Sequence, residues 1–279
     1  MKGQGDSSNL FEQRLKKYQV GVAVTYGVAI VALNKLWYAD YQRSKFRFFN
    51  DNRQWLQMDK IGHVYSTYSL SRLNFDLIKT AHLNEHERKK AIYYSSVASA
   101  LFLTSIEILD GFSSEWGFSW GDFAANSAGI ILFSAQELAF KNQMVRMKYS
   151  YQSSSYQSRR PSVFGENTLQ GAFKDYNGQT YWLSTTISDW TSVPKLKWLG
   201  ISVGYGANQM LSAVGKNFEN FTTDPYREYY LGLDVDLEKI KTNKNWLRKT
   251  FKVLNHIKVP APTFEINQNG GRKFHWLYF

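Results

Sequence analysis

The amino-acid sequence predicts an α+β protein, with an N-terminal helical bundle followed by a C-terminal antiparallel β-sheet of about five strands. Apolar residues recur with a helical period up to residue 148 and mostly with a period of two after residue 165. Residues 149–165 are rich in serine and have no apolar period, which is typical of a linker. The predicted organisation is therefore a helical domain at 1–148, a linker at 149–165 and a β region at 166–279.

Three apolar stretches predict helices in the N-terminal half. Residues 20–33 carry no charge, but they are too few for a membrane span, which needs about 20 residues. No small-x-small cleavage motif follows them, so a cleaved signal is not expected. Residues 91–106 and 123–140 are also mostly apolar. Because the mean hydropathy is −0.42, we expect helices buried in a bundle or lying against a membrane rather than a polytopic membrane protein.

Alternating residues predict the strands of the C-terminal half. In residues 229–237, Leu231 and Leu233 alternate with Gly232 and Asp234, so the apolar and polar residues fall on opposite faces. The other predicted strands lie at 181–187, 198–206, 263–267 and 273–279.

This alternation has two interpretations. In these strands an apolar row lies opposite a row of Gly, Ser and Asp, and the last residue of the sequence is the aromatic Phe279. Both features are typical of outer-membrane β-proteins. Five strands are fewer than the roughly eight that are the usual minimum for such proteins. A half-buried sheet that packs on the helical half would give the same alternation. The sequence leaves both interpretations open.

The composition narrows the class of partner. The 279 residues carry a net charge of +11, a pI near 9.5, and 18 Tyr, 19 Phe and 9 Trp. Basic charge with abundant Trp and Tyr predicts a membrane lipid or lipopolysaccharide surface as partner, with other outer-membrane proteins as a second class. Nucleic acid is not expected, because no nucleic-acid-binding motif accompanies the charge. The absence of cysteine excludes disulfides, thiolate metal sites and a cysteine nucleophile.

Polar and ionisable residues interrupt the apolar helical half at three places, which predicts one shared polar site. Such groups must be paired or hydrogen-bonded when they are buried, or their pKa values shift. The spacing of four residues places Asp59 and His63 on one helix face, and Asp122 and Asn126 on another. The candidate catalytic residues are His63, Asp59, Glu107 and Asp110, and the candidate ligand-binding residues are Lys60, Asp122 and Asn126.

Three roles are compatible with these residues. The carboxylates and the imidazole could hold a divalent metal that activates water for phosphoester hydrolysis. Without a metal, His63 could act as a general base while Lys60 neutralises an anionic substrate. In the third role they form a structural network between helices, with Asp122 and Asn126 as caps. No cofactor is required by the second and third roles.

A resemblance to a known family rests on several long motifs. Residues 55–63, 106–113 and 122–129 resemble the uncharacterised cell-envelope family that includes the predicted periplasmic lipoprotein YfiM. Segments at 174–184 and 198–206 are similar to the longer form of that family found in Bacteroidota. The resemblance implies a protein of the Gram-negative cell envelope, at the outer membrane or on the periplasmic face.

The order Asp-Lys-x-x-His, Glu and Asp-x-x-x-Asn is also similar to VanZ-like membrane proteins. In those proteins a Gln follows the Glu, whereas Glu107 is followed by Asp110 here. Neither resemblance implies a reaction. The predicted function is therefore an envelope protein, associated with the outer membrane, that uses its polar helical cluster for structure or for binding a polar lipid group. The alternative is a metal- or His-assisted hydrolase or transferase acting on an envelope lipid or phosphoester.

Overall fold

The protein is represented by a computed structural model that describes residues 2–34, 38, 42–191, 196–214, 217–218 and 221–279, with the backbone alone for 2–8 and 217–218. The chain divides into two compact units. The helical unit comprises Met1–Asp51 and Ser66–Asn142, and the sheet unit comprises Asn52–Tyr65 and Gln143–Phe279. Helices precede a six-stranded antiparallel sheet, so the predicted α+β class is confirmed.

Four helices account for most of the helical unit. They are α1 (Lys2–Leu33), α2 (Met58–Ile78), α3 (Glu85–Gly111) and α4 (Trp120–Ala139), and the division between the units falls within α2. All three predicted apolar stretches lie in these helices except for Phe140, which is the C-cap of α4. Phe75 of α2 and Phe133 of α4 are buried in the core, with ring centroids 5.7 Å apart.

The start of α3 is determined by local chemistry. Asn84 and Glu87 form a capping box, in which the Asn84 side chain accepts from the Glu87 backbone N–H at 2.9 Å and the Glu87 carboxylate accepts from the Asn84 N–H at 3.1 Å. Such reciprocal bonds satisfy two backbone donors that a helix start leaves free. Among the described residues, α3 is the helix that is long and apolar enough to cross a membrane by length and composition.

The sheet unit contains one large antiparallel sheet. Its strands, in spatial order, are β1 (Val145–Tyr151), β2 (Gln179–Thr186), β3 (Leu199–Asn208), β6 (Tyr226–Val235), β7 (Ala261–Asn267) and β8 (Arg272–Tyr278). Two further strands of two residues each, β4 (Asn217–Phe218) and β5 (Phe221–Thr222), pair with each other in a separate sheet. Short helices connect the strands at α5 (Pro161–Phe164), α6 (Thr168–Lys174), α7 (Ile187–Trp190) and α8 (Asn245–Leu254), with 3₁₀ turns at Gln157–Arg159 and Leu237–Lys239.

The sheet differs from the prediction at its first strand. Strand β1 is not among the five predicted strands, and its residues 149–151 fall within the predicted linker. The remainder of that linker contains a 3₁₀ turn and α5. In β1, Arg146 and Lys148 occupy the inward positions and are only 3% and 0% exposed. Charged residues rarely mark the buried face of a strand, and this explains why the alternation does not reveal β1.

The polarity of the sheet is reversed relative to a sheet that packs on an apolar core. Lys148, Ser202 and Asp234 are buried, whereas Val203 and Leu231 are 52% and 56% exposed. The register aligns the exposed apolar residues of five neighbouring strands in one row across the sheet. This outer row consists of Leu183, Val203, Leu231, Phe264 and Phe274.

Ion pairs fill the buried face at one end of the sheet. Lys148 Nζ lies 2.7 Å from Asp234 Oδ2, and Lys258 Nζ lies 3.8 Å from Asp234 Oδ1. Arg146 bridges Asp189 at 3.0 Å and Asp236 at 3.1 Å. Charges this deeply buried are tolerated only when they are paired and hydrogen-bonded. The network therefore makes a polar face compatible with burial.

Aromatic side chains cross the same buried face. The Tyr278 hydroxyl of β8 lies 2.9 Å from the Tyr230 hydroxyl of β6 and 3.1 Å from the Thr180 hydroxyl of β2. The rings of Tyr278 and Trp182 pack edge to face at 5.8 Å. Because β2 and β8 are not neighbours in the strand order, these contacts require the sheet to curl around its polar face.

Candidate functional site

The turn that leads into α2 has an unusual backbone. Trp55, Leu56 and Gln57 have φ values of 49°, 48° and 65°, a left-handed region that costs roughly 1–3 kcal/mol for each residue that is not glycine. The Trp55 N–H donates to the Ala213 carbonyl at 2.8 Å, and the Arg227 guanidinium donates to Gln57 Oε1 at 2.7 Å. These bonds from the sheet unit fix where α2 begins and thereby where its first polar residues lie.

Asp59 is the centre of a polar group at the start of α2. Its carboxylate accepts a hydrogen bond from the Tyr176 hydroxyl at 2.8 Å and one from Lys60 Nζ at 3.2 Å. His63 Nε2 lies 3.7 Å from Asp59 Oδ1, one helical turn further along. The side chains of Asp59, Lys60 and His63 are 24%, 14% and 16% exposed, so the group is largely shielded from water.

The surroundings of Asp59 determine its ionisation. Burial alone would raise the pKa of its carboxyl, but the charges of His63 and Lys60 and the hydrogen bonds from Tyr176 and Lys60 outweigh it, so the pKa falls below its ordinary value of 3.8. The ionised carboxylate therefore stabilises the folded protein at pH values above 3.8. This contribution is lost as the pH falls through the lower, folded-state pKa.

Gly62 permits a close approach between α2 and the sheet. A Cβ atom at this position would lie 2.8 Å from the Tyr181 hydroxyl oxygen. That oxygen is held in place, because the Tyr181 hydroxyl donates to Gln179 Oε1 at 2.8 Å in a buried position. Gly62 therefore leaves the space that the Tyr181 hydroxyl occupies, and a larger residue would not fit there.

We expect Gly62→Ala to lower the free energy of unfolding by about 1–3 kcal/mol, because the added methyl group overpacks the contact with Tyr181. Urea unfolding followed by circular dichroism measures the change. Gly21→Ala is the matched control, since Gly21 is also helical and a Cβ atom added there would have no neighbouring atom within 4 Å. For this control we expect unchanged or greater stability, because Ala is the better helix former. Equal losses in the two variants would contradict the packing role of Gly62.

The remaining predicted residues lie in the helical unit. Ser119 is the N-cap of α4, where its hydroxyl oxygen accepts from the Asp122 N–H at 3.1 Å. The same hydroxyl donates to Asp51 Oδ1 at 2.6 Å, and the Ser119 N–H donates to Glu107 Oε2 at 3.4 Å. Glu107 and Asp122 are 1% and 4% exposed. Ser119 therefore connects the predicted carboxylates at the ends of α3 and α4.

Asn126 and Asp110 have partners on other segments of the helical unit. The Thr67 hydroxyl of α2 donates to Asn126 Oδ1 at 2.9 Å, and the Tyr38 hydroxyl donates to Asp110 Oδ1 at 2.8 Å. Burial, together with the negative charge of Asp110, raises the pKa of the Tyr38 hydroxyl above its ordinary range. Both bonds join elements that are distant in sequence, which is what a structural network requires.

The predicted capping role of two residues is wrong. Asp122 and Asn126 do not cap α4, because Ser119 occupies the N-cap position. A carboxylate in the first turn of a helix is still favoured by the helix dipole, which suits Asp122. Before α2, Arg53 is the N-cap of a 3₁₀ turn at Gln54–Gln57 and forms no side-chain cap bond. Asp51, which precedes this turn, is a partner of Ser119.

We expect Ser119→Ala to lower the free energy of unfolding by about 1–2 kcal/mol, because it removes the cap bond to Asp122 and the bond to Asp51. Thermal unfolding of the full chain tests this. Ser127→Ala is the control, since the exposed Ser127 hydroxyl bonds only to the carbonyl one turn earlier among the contacts described for it. A Ser119→Ala variant as stable as the control would contradict the cap assignment.

The predicted site residues thus fall into two groups, one in each unit of the chain. One is Asp59, Lys60 and His63 in the sheet unit, and the other is Glu107, Asp110, Asp122 and Asn126 in the helical unit. Convergence of the two groups on one site stays a prediction. Asp59 and His63 offer a carboxylate and an imidazole, which are ligand types that divalent metals use.

Three partners of these groups were not predicted from the sequence. Ser119 stands before α4 in a common N-cap pattern, so its signal was available in the sequence. Tyr176 lies 117 residues from Asp59 along the chain, and no local pattern connects the two residues. Thr67 carries no such signal, because a threonine inside a helix is compatible with many environments.

The fold and these groups define a class of protein: an α+β protein with a polar network in its helices and a sheet whose apolar face is exposed. The sequence profile of a family described as predicted periplasmic lipoprotein (DUF2279) matches residues 47–136, which include every predicted site residue. No curated protein and no solved structure matches the chain. The predicted location on the periplasmic face of the Gram-negative cell envelope is confirmed by the family match. The Bacteroidota form and the likeness to VanZ-like proteins stay predictions.

Proposed function

We propose that this envelope protein is associated with the outer membrane through its sheet unit, and that the polar groups on its helices serve structure or bind a polar lipid group. In this proposal the outer row contacts the acyl chains of the bilayer. The single observation that carries the proposal is the reversed polarity of the sheet. Asp234 is 1% exposed, whereas its neighbour Leu233 is 43% exposed.

Physical reasoning favours lipid as the medium around the outer row. Contiguous exposed apolar surface is unfavourable in water, and on soluble proteins it usually marks an interaction site. Lipid-exposed strands of outer-membrane proteins point apolar residues outward and polar residues inward. Strands β3 and β6 have ten residues each, within the 9–11 residues that a tilted strand needs to cross the hydrocarbon.

The polar group at Asp59 supports the second part of the proposal. Lys60 and His63 are partly exposed and stand beside a carboxylate whose low pKa keeps it ionised. A cation and an imidazole of this kind can donate hydrogen bonds to the phosphate of a lipid headgroup. Tyr176 donates to Asp59, and Asp59 in turn accepts from Lys60, so the protein itself positions the Lys60 ammonium group.

Flotation of the purified full chain with phosphatidylcholine vesicles tests the membrane association. We expect the protein to rise with the vesicles at low salt and at 1 M salt alike. At 1 M salt the Debye length is only about 3 Å, which weakens attraction between charges but not apolar contacts. Release at high salt, or no flotation at all, would overturn the proposal.

A second candidate is favoured by one contact. His63 Nε2 lies 3.7 Å from Asp59 Oδ1, an arrangement in which a carboxylate orients an imidazole that could act as a general base. The candidate reaction is hydrolysis or transfer at an envelope lipid or phosphoester, with or without a divalent metal. Elemental analysis of the purified protein tests the metal-dependent form of this candidate. A stoichiometric metal that is lost in His63→Ala would favour the enzyme and count against a purely structural or lipid-binding role.

A further inference from the structure

A basic segment of the sheet unit stands apart from the ion pairs of the buried face. Between residues 239 and 264 the chain has seven lysines and arginines and no aspartate or glutamate. Lys239 and Lys258 at its ends pair with Asp189 and Asp234. The segment between these two lysines contains α8 and five cations: Lys241, Lys244, Arg248, Lys249 and Lys252.

Helix α8 separates its apolar and basic residues. At about 100° per residue, Trp246, Leu247 and Leu254 fall on one arc of the helix and Arg248 and Lys249 on the other. A short helix with one apolar arc and one arc rich in Lys and Arg is typical of helices that lie in a membrane interface.

The apolar arc is only partly used for packing within the protein. Leu247 and Phe251 are half-buried, but Trp246 and Val253 are 63% and 57% exposed. Tryptophan is enriched at the interface between headgroups and hydrocarbon, because its ring is apolar and its N–H needs a polar partner. The helix thus exposes apolar side chains beside exposed cations.

The end of α8 is fixed to the sheet. Asn255, its C-cap, is 0% exposed and donates to Asp236 Oδ1 at 2.8 Å, directly after β6. Its side-chain oxygen accepts from the Leu237 N–H at 3.0 Å. The helix is therefore held at the end of a strand whose Leu231 and Leu233 are exposed. The exposed apolar surface of α8 and that of the sheet belong to one unit.

We propose that α8 lies in the headgroup layer of an anionic membrane surface, with Trp246 directed to the acyl chains and Arg248 and Lys249 attracted by the net negative charge of anionic headgroups. This inference rests on the proposed function, since the sheet would bring α8 to the bilayer. Charge selects the partner: each Lys or Arg near an anionic membrane strengthens binding about fivefold. Arg248 and Lys249 are exposed and form no ion pair with another described residue.

The test compares two vesicle compositions with the full chain. Vesicles of phosphatidylcholine alone, and vesicles that also contain phosphatidylglycerol, are titrated at low salt, and the ratio of the two binding constants is measured. We expect wild type to prefer the anionic vesicles. The variant Arg248→Gln/Lys249→Gln should lose about 30-fold of that preference, at roughly fivefold per cation, and keep its binding to phosphatidylcholine.

The control variant Arg272→Gln/Lys273→Gln removes two exposed cations from β8 and should keep the preference. Equal losses in both variants would overturn the inference, because general charge would then suffice. Wild type that binds both vesicles equally would overturn it too, while leaving the proposed function intact. Wild type that binds neither vesicle would overturn both the inference and the proposed function.

Competition with inorganic phosphate separates a membrane from a free anion. Phosphate at millimolar concentration should not reduce the preference for anionic vesicles; if it abolishes the preference, α8 binds a free anion rather than a membrane.

Discussion

The double variant Val203→Lys/Leu231→Lys is expected to lose its association with membranes while it keeps its fold. Both side chains lie in the outer row, on adjacent strands, and are about half exposed. A lysine on the lipid-facing side of a strand costs about 2–4 kcal/mol at the middle of the bilayer. One such cost weakens membrane binding by roughly 30-fold to 1000-fold. Flotation with phosphatidylcholine vesicles measures the loss.

The fold of this variant should persist because exposed side chains contribute little to packing. Surface substitutions usually change the free energy of unfolding by less than about 0.5 kcal/mol. Asn269→Lys is the matched control, since it adds the same kind of charge at the exposed turn between β7 and β8. The control should float like wild type. If the double variant floats as well, the outer row does not face lipid.

The second large effect is expected at the buried ion pair. Lys148→Met should lower the free energy of unfolding by about 3 kcal/mol, because it leaves the carboxylate of Asp234 without its closest cation. Lys148 Nζ lies 2.7 Å from Asp234 and also donates to the Val235 carbonyl at 2.7 Å. The loss should fall near the lower end of the usual range of about 3–5 kcal/mol, since Ser184 and Lys258 still contact Asp234.

Urea unfolding in detergent micelles measures this loss. Lys273→Met is the control, because Lys273 lies on β8 and is exposed. It should change the free energy of unfolding by less than about 0.5 kcal/mol. A Lys148→Met variant as stable as the control would show that the buried face does not depend on the ion pair. Greater stability would mean that dehydrating Lys148 costs more than its attraction to Asp234 returns.

The sequence predicted which residues share a face of the sheet, but not which face is buried. Alternation in β6 separates Leu231 and Leu233 from Gly232 and Asp234 without indicating the medium on either side. That depends on contacts between distant residues, such as Lys258 with Asp234. Strand β1 was missed for the same reason, since Arg146 is acceptable inside only when an acid elsewhere in the chain faces it.

The candidate site was predictable only within single helices. The pair Asp59 and His63 follows from helical spacing, and the structure places them 3.7 Å apart. Tyr176, the partner of Asp59, lies 117 residues further along the chain, where no local pattern connects it to α2. The φ values at Trp55 and Leu56 were equally unpredictable, because no glycine marks that turn.

The most direct test of the membrane-facing sheet uses the absence of cysteine from this chain. One variant carries Leu231→Cys, and a control variant carries Asn269→Cys. Each cysteine is labelled with an environment-sensitive fluorophore, and the labelled proteins are placed in vesicles. We expect the label at residue 231 to report an apolar environment and to resist a water-soluble quencher, while the label at residue 269 is quenched. Equal quenching at both positions would contradict the proposal that the outer row faces lipid.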